Sequence, residues 1–537
     1  MSEHSAPGLA HTAPSTRRDL LRLIGQAAGG TAMYHAMTAL GHAAASPYSG
    51  PIKLEGAPKG TSIVVLGAGI AGLVGAIELR KAGYKVTVLE YSNRAGGRAW
   101  TLRGGDEYTE LGGAKQKVEF DKGLYVNPGP WRIPYHHHGI LDYAKRLNVA
   151  LEPFMQVNYN AYLHSKNAYG GKPQRYRHVQ ADFHGNVAEL LSKAVNKKQL
   201  DDALSTEDRD KLLEALQRWG ALDKSFRYNA GDLSSTRRGY DVAPGGGLMP
   251  APVPSTPLEF SSLLKSRLWN YLPIGHDEEF HTAIFQPVGG MDMIAQAMYR
   301  EVADAVQFGA RVTAIDQDAQ GVTVTYTDTA GGATLQSRAD WCLCTIPLSI
   351  LSQIDIKVSS KMQAAIEAVP YEASVKVGLQ FKRRFWEQDE LIYGGISFTD
   401  LPIGLIGYPA SGYGSPGKGV LLGAYIWGPN AYEFTSRSPE ERVQLALRYG
   451  ALIHPQYPSE FETGVSVAWH RVPGVNGCFG NWSDEARKTH YRNLCAIDGR
   501  IVLAGEHASL IPAWQEGAVL SAHDAITRLH ARIKVGA

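Results

Sequence analysis

The first regular pattern of apolar positions along the chain predicts a strand, a helix and a second strand. Residues 62–66 form a continuous run rich in β-formers that ends at a glycine, which is typical of a buried strand. A second such run covers residues 85–89 and ends at Glu90. Between them, apolar residues recur at helical spacing until Gly83, which suits a left-handed helix cap. These helical positions are Ile70, Leu73, Val74 and Ile77.

The turn between the first strand and the helix carries three glycines that suit a dinucleotide. Gly67 permits the tight turn, Gly69 allows the backbone to approach a pyrophosphate, and Gly72 allows the helix to pack closely. Glu90 stands where a carboxylate can accept hydrogen bonds from both hydroxyls of a ribose. This pattern predicts a dinucleotide-binding unit but does not distinguish NAD from FAD.

Later apolar runs predict further elements. Residues 309–315 read as a strand, and residues 501–507 as a buried strand ending in an acid, followed by a helix that opens within residues 512–518. Residues 188–222 are rich in Leu, Lys and Asp and predict helices. The segment Val242 to Pro257 is rich in Pro and Gly, so we expect an irregular connector or a loop over the entrance of the active site.

Composition narrows the classes of partner. The 54 Lys and Arg residues nearly balance the 52 Asp and Glu residues, so no basic excess favours nucleic acid. At 537 residues, the chain is long enough for two or three packed units. Its four cysteines lack a CxxC pair, and Cys342 and Cys344 share one face of an expected strand. We expect packing roles for these thiols and no dependence on disulfides.

The beginning of the chain has the features of an export signal. Residues 16–22, with Arg17 and Arg18, resemble the twin-arginine motif, and a weakly apolar stretch to Ala45 ends in small residues. Residues 1–45 are therefore predicted to be a signal peptide that sends an already folded protein to the periplasm or outside the cell. The alternative is a disordered tail with a chance Arg-Arg pair. We expect no membrane segment in the mature form.

Residues 94–98 resemble the RxGGR signature of the flavin amine oxidases, which favours FAD over NAD. In that family, Val312 of the later strand would cover the adenine, and Glu506 would bond the ribityl or phosphate region. The helix after Trp514 would face the flavin ring with its N-terminus. The residues expected at the cofactor are Gly67, Gly69, Ile70, Ala71, Gly72, Glu90, Tyr91, Arg98, Gly129, Pro130, Trp131, Arg132, Val312, Glu506, Trp514, Gln515, Glu516, Gly517 and Ala518.

Within that family, the chain is most similar to the L-amino-acid oxidases, over most of its length except about residues 193–279. Residues 129–134 resemble their GPMRLP segment, which implies that Arg132 clamps the α-carboxylate of the substrate with its planar fork. Residues 407–409 resemble a tyrosine-proline segment, which makes Tyr408 a second donor to the carboxylate. Lys376 matches the catalytic lysine that holds a water near the flavin.

Two further positions concern the substrate, and one pattern suggests a metal. Trp514 would form an aromatic wall beside the substrate, and Ala513 replaces a glycine near the substrate amine. Residues 110–114 also resemble the strand end that normally precedes the arginine, which indicates an insertion. We expect no metal at residues 136–138, because adjacent histidines point in different directions and lack i, i+4 spacing.

The resemblance implies an α/β fold: a Rossmann-like, glutathione-reductase-like FAD-binding domain, a substrate domain with a mixed sheet, and a helical insert. The predicted ranges are 58–113, 281–369 and 475–537 for the FAD domain, 114–180 and 370–474 for the substrate domain, and 181–280 for the insert.

It also implies FAD-dependent oxidation of L-amino acids by O2 to 2-oxo acids, ammonia and hydrogen peroxide, by a homodimer. A monoamine or polyamine oxidase, a decarboxylating amino-acid monooxygenase and a flavin-binding module without turnover remain alternatives. The sequence does not reveal which amino-acid side chains are preferred.

Overall fold

The computed structural model describes residues 46–197 and 205–536. The signal peptide predicted for residues 1–45 lies outside the described residues. The first βαβ unit is confirmed, with strand Ser62–Leu66, helix Ile70–Ala82 and strand Lys85–Leu89. The two strands pair in parallel, and the helix ends at Gly83 with φ 102°.

A six-stranded sheet brings together three distant parts of the chain around this unit. Helix Gln515–Val535 packs against helix Ile70–Ala82, and buried residues of both helices share one core with the sheet. Its first five strands pair in parallel, which requires crossover connections over the faces of the sheet, as in a Rossmann-like fold. The strand order is Val306–Gln307, Lys85–Leu89, Ser62–Leu66, Trp341–Cys344, Ile501–Leu503 and Ile497–Asp498.

A four-stranded sheet packs on the other face of the six-stranded sheet. Its central strand Ala310–Gln317 confirms the element expected near residues 309–315. Cys342 and Cys344 are buried in the core between the two sheets, and all four cysteines are free thiols. The strand order is Thr334–Ala339, Val322–Asp328, Ala310–Gln317 and Asp355–Ile356.

A seven-stranded mixed sheet forms the second large body. Strand Ser374–Phe381 is buried along its whole length, between strands Gly419–Trp427 and Phe461–Ala468. All seven strands fall in the ranges predicted for the substrate domain, although the domain boundaries themselves stay predictions. The strand order is Gln174–Arg175, Tyr162–His164, Ile396–Thr399, Leu405–Gly407, Gly419–Trp427, Ser374–Phe381 and Phe461–Ala468.

Short ladders connect these bodies. A three-stranded ladder holds the last two residues of the GPMRLP-like segment. The short strands are Ile133–Pro134, Ile284–Pro287 and Leu151–Phe154 in one ladder, Leu102–Arg103 with Tyr125–Val126, Glu107–Thr109 with Lys115–Lys117, and Tyr240–Val242 with Val253–Pro254. The last ladder frames the exposed Pro/Gly-rich segment, whose role as connector or entrance loop stays a prediction.

The region predicted as a helical insert consists mainly of helices, and the boundaries of the insert stay predictions. Its first helix starts at Tyr176, because Arg175 is the last extended residue before it. The helices of this region are Tyr176–Asn196, Thr206–Gly220, Asp232–Arg238 and Phe260–Ser266. The remaining α-helices are His138–Arg146, Met293–Arg300, Leu348–Leu351, Ser360–Glu367, Phe385–Gln388, Gly428–Thr435, Pro439–Gly450, Tyr457–Glu460 and Asp484–Cys495. Within residues 46–197 and 205–536, no helix is long and apolar enough to cross a membrane.

Candidate active site

An elongated cavity of about 1490 Å³ runs from the glycine turn to the start of helix Gln515–Val535. It is lined by residues from both ends of the chain, so the fold assembles the site from distant segments. Most of the residues expected at the cofactor line it. They are Gly67, Gly69, Ile70, Ala71, Glu90, Tyr91, Arg98, Gly129, Pro130, Trp131, Arg132, Val312, Glu506, Trp514, Gln515 and Ala518.

The three glycines of the turn have different surroundings. Gly67 has φ +102°, a conformation that favours glycine. A Cβ at Gly72 would lie 1.9 Å from the carbonyl oxygen of Gly67, so the helix start packs directly on the turn. A Cβ at Gly69 would meet nothing within 4 Å, and this residue lines the cavity. The backbone at the helix N-terminus is therefore open to a phosphate.

Glu90 is fixed by the protein at the edge of the cavity. One carboxylate oxygen accepts a hydrogen bond from the N–H of Ala68 (2.6 Å), and the other accepts from the N–H and the hydroxyl of Ser92 (2.8 and 2.7 Å). A carboxylate oxygen can accept two hydrogen bonds. Three of the four acceptor sites of Glu90 are thus occupied, and the one that remains, on the oxygen bound by Ala68, can accept a ribose hydroxyl.

An ion pair ties the RxGGR segment to the end of the chain. Nη1 of Arg98 donates to Oε1 of Glu506 (2.7 Å) and to the carbonyl of Cys478 (2.8 Å). Oε2 of Glu506 accepts the N–H of Ala513 at 3.2 Å. This pair fixes the two loops that would surround the middle of a dinucleotide.

The start of helix Gln515–Val535 divides the expected cofactor residues into two groups. Gln515 lines the cavity, and its buried Oε1 accepts no hydrogen bond from the residues that the structure describes. Such an atom is the acceptor that a ligand can satisfy. Glu516 and Gly517 were expected at the cofactor, but they do not line the cavity.

The reason for this correction is the position of both residues behind the cavity wall. The carboxylate of Glu516 accepts the N–H groups of Gly139 (2.9 Å) and Ile140 (2.8 Å), at the start of helix His138–Arg146. A Cβ at Gly517 would lie 2.1 Å from the carbonyl oxygen of Ile511, so glycine allows close packing there. These residues shape the wall.

Arg132 lies in the cavity among aromatic rings, as expected for a substrate clamp. Its Cζ is 4.7 Å from the ring centroid of Phe280, 5.3 Å from Trp131 and 5.8 Å from Trp514. Burial lowers the pKa of Arg132 to about 10. The guanidinium therefore keeps its charge at neutral pH and can hold a carboxylate in a largely apolar surrounding.

Lys376 lies directly behind the cavity wall. Its Nζ donates to the carbonyl of Gly129 at 2.6 Å and is 4.1 Å from the ring centroid of Tyr425. The ring of Trp131 is 5.5 Å away. Burial lowers the pKa of Lys376 to about 7, so a small change in its surroundings changes its charge near neutral pH.

The role expected for Tyr408 is wrong. Its side chain is buried in the core of the seven-stranded sheet, and its hydroxyl bonds to Oγ of Ser397 (2.7 Å) and Nε2 of His454 (2.6 Å). It does not line the cavity. Alternate residues of a strand face opposite sides, and here the neighbouring Gly407 faces the ring of Trp131.

Tyr425 and Glu279 are among the cavity residues that the sequence did not predict. Tyr425 lies in strand Gly419–Trp427 opposite Lys376, within an apolar run that carries no signal of function. Glu279 lies in the short turn Glu278–Phe280, in the region without family resemblance, and is only 1% exposed. Both residues reach the cavity through tertiary packing, for which the local sequence has no marker.

We expect no metal at residues 136–138 because adjacent histidines should point in different directions. In the structure, however, the side chains of His136 and His137 lie close together. Ring nitrogens of His136 and His137 and a carboxylate oxygen of Glu279 all lie within 4.8 Å of one another. Burial lowers the pKa of both histidines, so both rings are neutral at pH 7. His138 instead begins helix His138–Arg146.

Ala513 lines the cavity beside Trp514, where a neighbour of the substrate was expected. Its φ of +69° lies in the left-handed region that favours glycine. Ala513 thus adopts a backbone conformation that glycine adopts more easily, because glycine has no Cβ.

Comparisons with known proteins agree with this geometry. The family model described as flavin containing amine oxidoreductase matches residues 70–529. An L-amino-acid oxidase of Vipera ammodytes ammodytes is 30% identical over 471 residues, which cover 86% of this chain and 90% of the relative. An L-amino-acid oxidase of Siganus canaliculatus is 28% identical over 472 residues, covering 87% and 85% of the two chains.

Among solved structures, cyclohexylamine oxidase from Brevibacterium oxydans IH-35A has a TM-score of 0.58 at 14% identity. The match covers 89% of this chain and 100% of that one. At this identity the likeness concerns the fold.

Proposed function

The chain belongs to the flavin-containing amine oxidoreductases, and from this premise we propose that it oxidises L-amino acids. The expected products are an imino acid, which hydrolyses to a 2-oxo acid and ammonia, and hydrogen peroxide. The relatives named as L-amino-acid oxidases support this substrate class. The features of the cavity that support it are argued next.

FAD is the cofactor of this family, and the residues of the cavity fit it. The open backbone at Gly69, the carboxylate of Glu90 and the unsatisfied oxygen of Gln515 are spaced along the cavity, as a long ligand with phosphate, ribose and ring requires. When bound, FAD takes hydrogen and two electrons from the substrate's α-carbon and passes the electrons to dioxygen.

The position of Arg132 is the observation that carries the proposal. A guanidinium in the cavity, near Phe280 and Trp514, provides a planar fork for the α-carboxylate that an amino acid has and a simple amine lacks. Holding the carboxylate fixes the orientation of the α-carbon, so that one enantiomer presents its hydrogen to the flavin.

The remaining residues near the arginine complete the surroundings of the substrate. Trp514 and Tyr425 supply aromatic walls, and Ala513 narrows the space near the substrate amine. Lys376 lies behind the wall, against Tyr425 and Gly129, and its proposed role is to hold a water or to supply positive charge during reaction with oxygen. The proposed role of these residues is to orient the substrate and to limit the access of water to it. The reaction needs no acid–base triad.

Anaerobic addition of single substrates to the FAD-loaded protein tests the proposal. We expect L-amino acids to bleach the flavin absorbance, whereas their D-enantiomers and decarboxylated amines leave it unchanged. Bleaching by amines alone would identify a monoamine or polyamine oxidase, and no bleaching by any compound would indicate a flavin module without turnover. After admission of air, release of carbon dioxide in place of hydrogen peroxide would identify a decarboxylating monooxygenase.

The variant Arg132→Lys provides the matched test of the clamp. Lysine keeps the charge but cannot bind a carboxylate with two parallel hydrogen bonds. We expect KM for L-amino acids to rise by roughly 10-fold or more, the effect of losing one charge-assisted hydrogen bond. Unchanged kinetics would remove Arg132 from the substrate site.

Export by the twin-arginine route is part of the proposal, supported by Arg17 and Arg18 within a motif-like segment. Changing both to lysine should keep the protein in the cytoplasm, as measured by fractionation. The homodimer stays a prediction that sedimentation can test.

A further inference from the structure

The carboxylate of Glu279 is an unusual group to find in the wall of the substrate cavity. The residue is only 1% exposed, and neither oxygen has a hydrogen-bond partner among the described residues. Burial raises the pKa of Glu279 to about 8. A buried carboxylate without partners is costly to the fold, so its position suggests a function.

Among the described residues, the groups next to Glu279 do not neutralise its carboxylate. Nε2 of His137 is 3.6 Å away, but burial and the neighbouring histidines hold the pKa of His137 well below its usual range. Glu278 is exposed and carries the same sign of charge. The positive charge of Arg132 lowers the pKa of Glu279, but by less than burial raises it.

The distances between neighbouring rings and Arg132 put Glu279 where a substrate side chain can reach it. The next residue, Phe280, has its ring 4.7 Å from Cζ of Arg132, so the carboxylate clamp and Glu279 share one end of the cavity. His137, beside Glu279, has its ring 4.9 Å from Trp514. Arg132 and Glu279 therefore line the cavity near the same aromatic wall, and a cation bound beside Glu279 would hold its carboxyl group in the charged form.

We propose that Glu279 selects L-amino acids whose side chains carry a positive charge, such as lysine, ornithine and arginine. This inference rests on the oxidation of amino acids proposed above and names its substrate class. The α-carboxylate binds Arg132, and the ammonium or guanidinium of the side chain binds Glu279. Acidic side chains are repelled, and apolar side chains leave the carboxylate without a partner.

The test compares kcat/KM for L-arginine and L-lysine with kcat/KM for L-norleucine, which has an uncharged side chain of similar length. The FAD-loaded wild type is measured beside Glu279→Gln, with peroxide release as the readout. The matched control is Glu278→Gln, which removes the same charge from the exposed neighbouring position. Flavin absorbance and thermal unfolding check that each variant is folded.

We expect Glu279→Gln to lower the ratio of kcat/KM for L-arginine to kcat/KM for L-norleucine by roughly 10- to 100-fold. This is the effect of losing one charge-assisted hydrogen bond. Glu278→Gln should leave this ratio unchanged. An equal loss for all substrates would overturn the inference, because Glu279 would then serve the shared α-amino group or the fold. An unchanged ratio in Glu279→Gln would overturn it as well.

The outcomes separate this inference from the proposed function. If the wild type oxidises L-norleucine or other L-amino acids but not the basic ones, the proposed function holds and the inference fails. If no L-amino acid is oxidised, both fail. A metal bound in equal amount to the protein and lost in Glu279→Gln would instead assign Glu279, His136 and His137 to a metal site and overturn the inference.

Discussion

The indole of Trp131 occupies the space that a side chain at Gly407 would fill. A Cβ at position 407 would lie 2.3 Å from Cζ2 and 2.6 Å from Cη2 of Trp131. Gly407 ends strand Leu405–Gly407, and Trp131 precedes the arginine in the cavity. The size of one residue and the absence of a side chain at the other are therefore coupled.

We expect Gly407→Ala to push the indole toward the cavity. Overpacking of this kind typically costs about 1–3 kcal/mol of unfolding free energy. It should also raise KM for bulky substrates, because Trp131 lines the site. Chemical denaturation and steady-state kinetics measure both effects.

Trp131→Phe supplies the control for this contact, because phenylalanine lacks the outer ring that carries Cζ2 and Cη2. The double variant should recover part of the stability lost in Gly407→Ala. An equal loss in both backgrounds would mean that the two residues are independent.

Substitutions at Ala513 should reveal the cost of its left-handed backbone. Glycine there removes a strain of about 1–2 kcal/mol, offset in part by a more flexible unfolded chain. Ala513→Gly should therefore leave Tm unchanged or slightly higher, whereas Ala513→Val should lower it. Ala518→Gly is the control, since glycine within a helix typically costs about 1 kcal/mol. Equal losses of Tm in the two glycine variants would contradict the strain.

The charge of Lys376 should govern the reaction with oxygen. With a pKa of about 7, the ammonium form dominates below pH 7, so the rate of reoxidation should fall as the pH rises through about 7. Lys376→Met should reoxidise roughly 100-fold more slowly and without this pH dependence. Rapid mixing of the reduced protein with dioxygen measures the rate. Exposed Lys382 gives the control variant Lys382→Met, which should behave as the wild type.

The lowered pKa of Lys376 also affects stability. The unfolded chain, in which the lysine has its ordinary pKa of 10.5, binds more protons than the folded protein between about pH 7 and 10.5. The unfolding free energy should therefore rise with pH across this window. In Lys376→Met this part of the pH dependence should be absent. The same slope in both proteins would show that Lys376 titrates normally.

Removing the negative charge of Glu506 should weaken the binding of FAD. Glu506→Gln leaves Arg98, whose side chain is 22% exposed, without its ionic partner, and losing a hydrogen bond between charged groups typically costs about 1.5–3 kcal/mol. We expect loss of flavin on gel filtration and a lower Tm. The exposed pair of Glu207 and Lys211 provides the control, and Glu207→Gln should leave both unchanged. Full retention of FAD by Glu506→Gln would contradict this role.

The elements with strong local signals could be predicted from the sequence. Strand Ser62–Leu66, helix Ile70–Ala82 and strand Lys85–Leu89 match the pattern because periodicity, the glycine turn and the cap at Gly83 all act locally. The cavity position of Arg132 was also predictable, because its neighbours in sequence carry the resemblance.

The errors have physical causes in packing between distant segments. Tyr408 and Gly407 are adjacent at the end of a strand, where neighbouring residues face opposite sides. An alignment that is wrong by one residue therefore assigns a core residue to the cavity. Glu516 was expected at the flavin from its place in a helix start, yet a second helix start at Gly139 binds its carboxylate. Glu279 and Arg132 line the same cavity although they are far apart in sequence.

The order in which a ribosome produces the chain affects how the cofactor is acquired. The cavity begins at Gly67 and is closed by Trp514 and Ala518, and strand Ile501–Leu503 completes the sheet beside Trp341–Cys344. A nascent chain synthesised only as far as residue 500 thus presents a nucleotide turn without its opposite wall, because these contacts join residues that are far apart in sequence. A complete cavity for the cofactor therefore requires synthesis of the chain through residue 518.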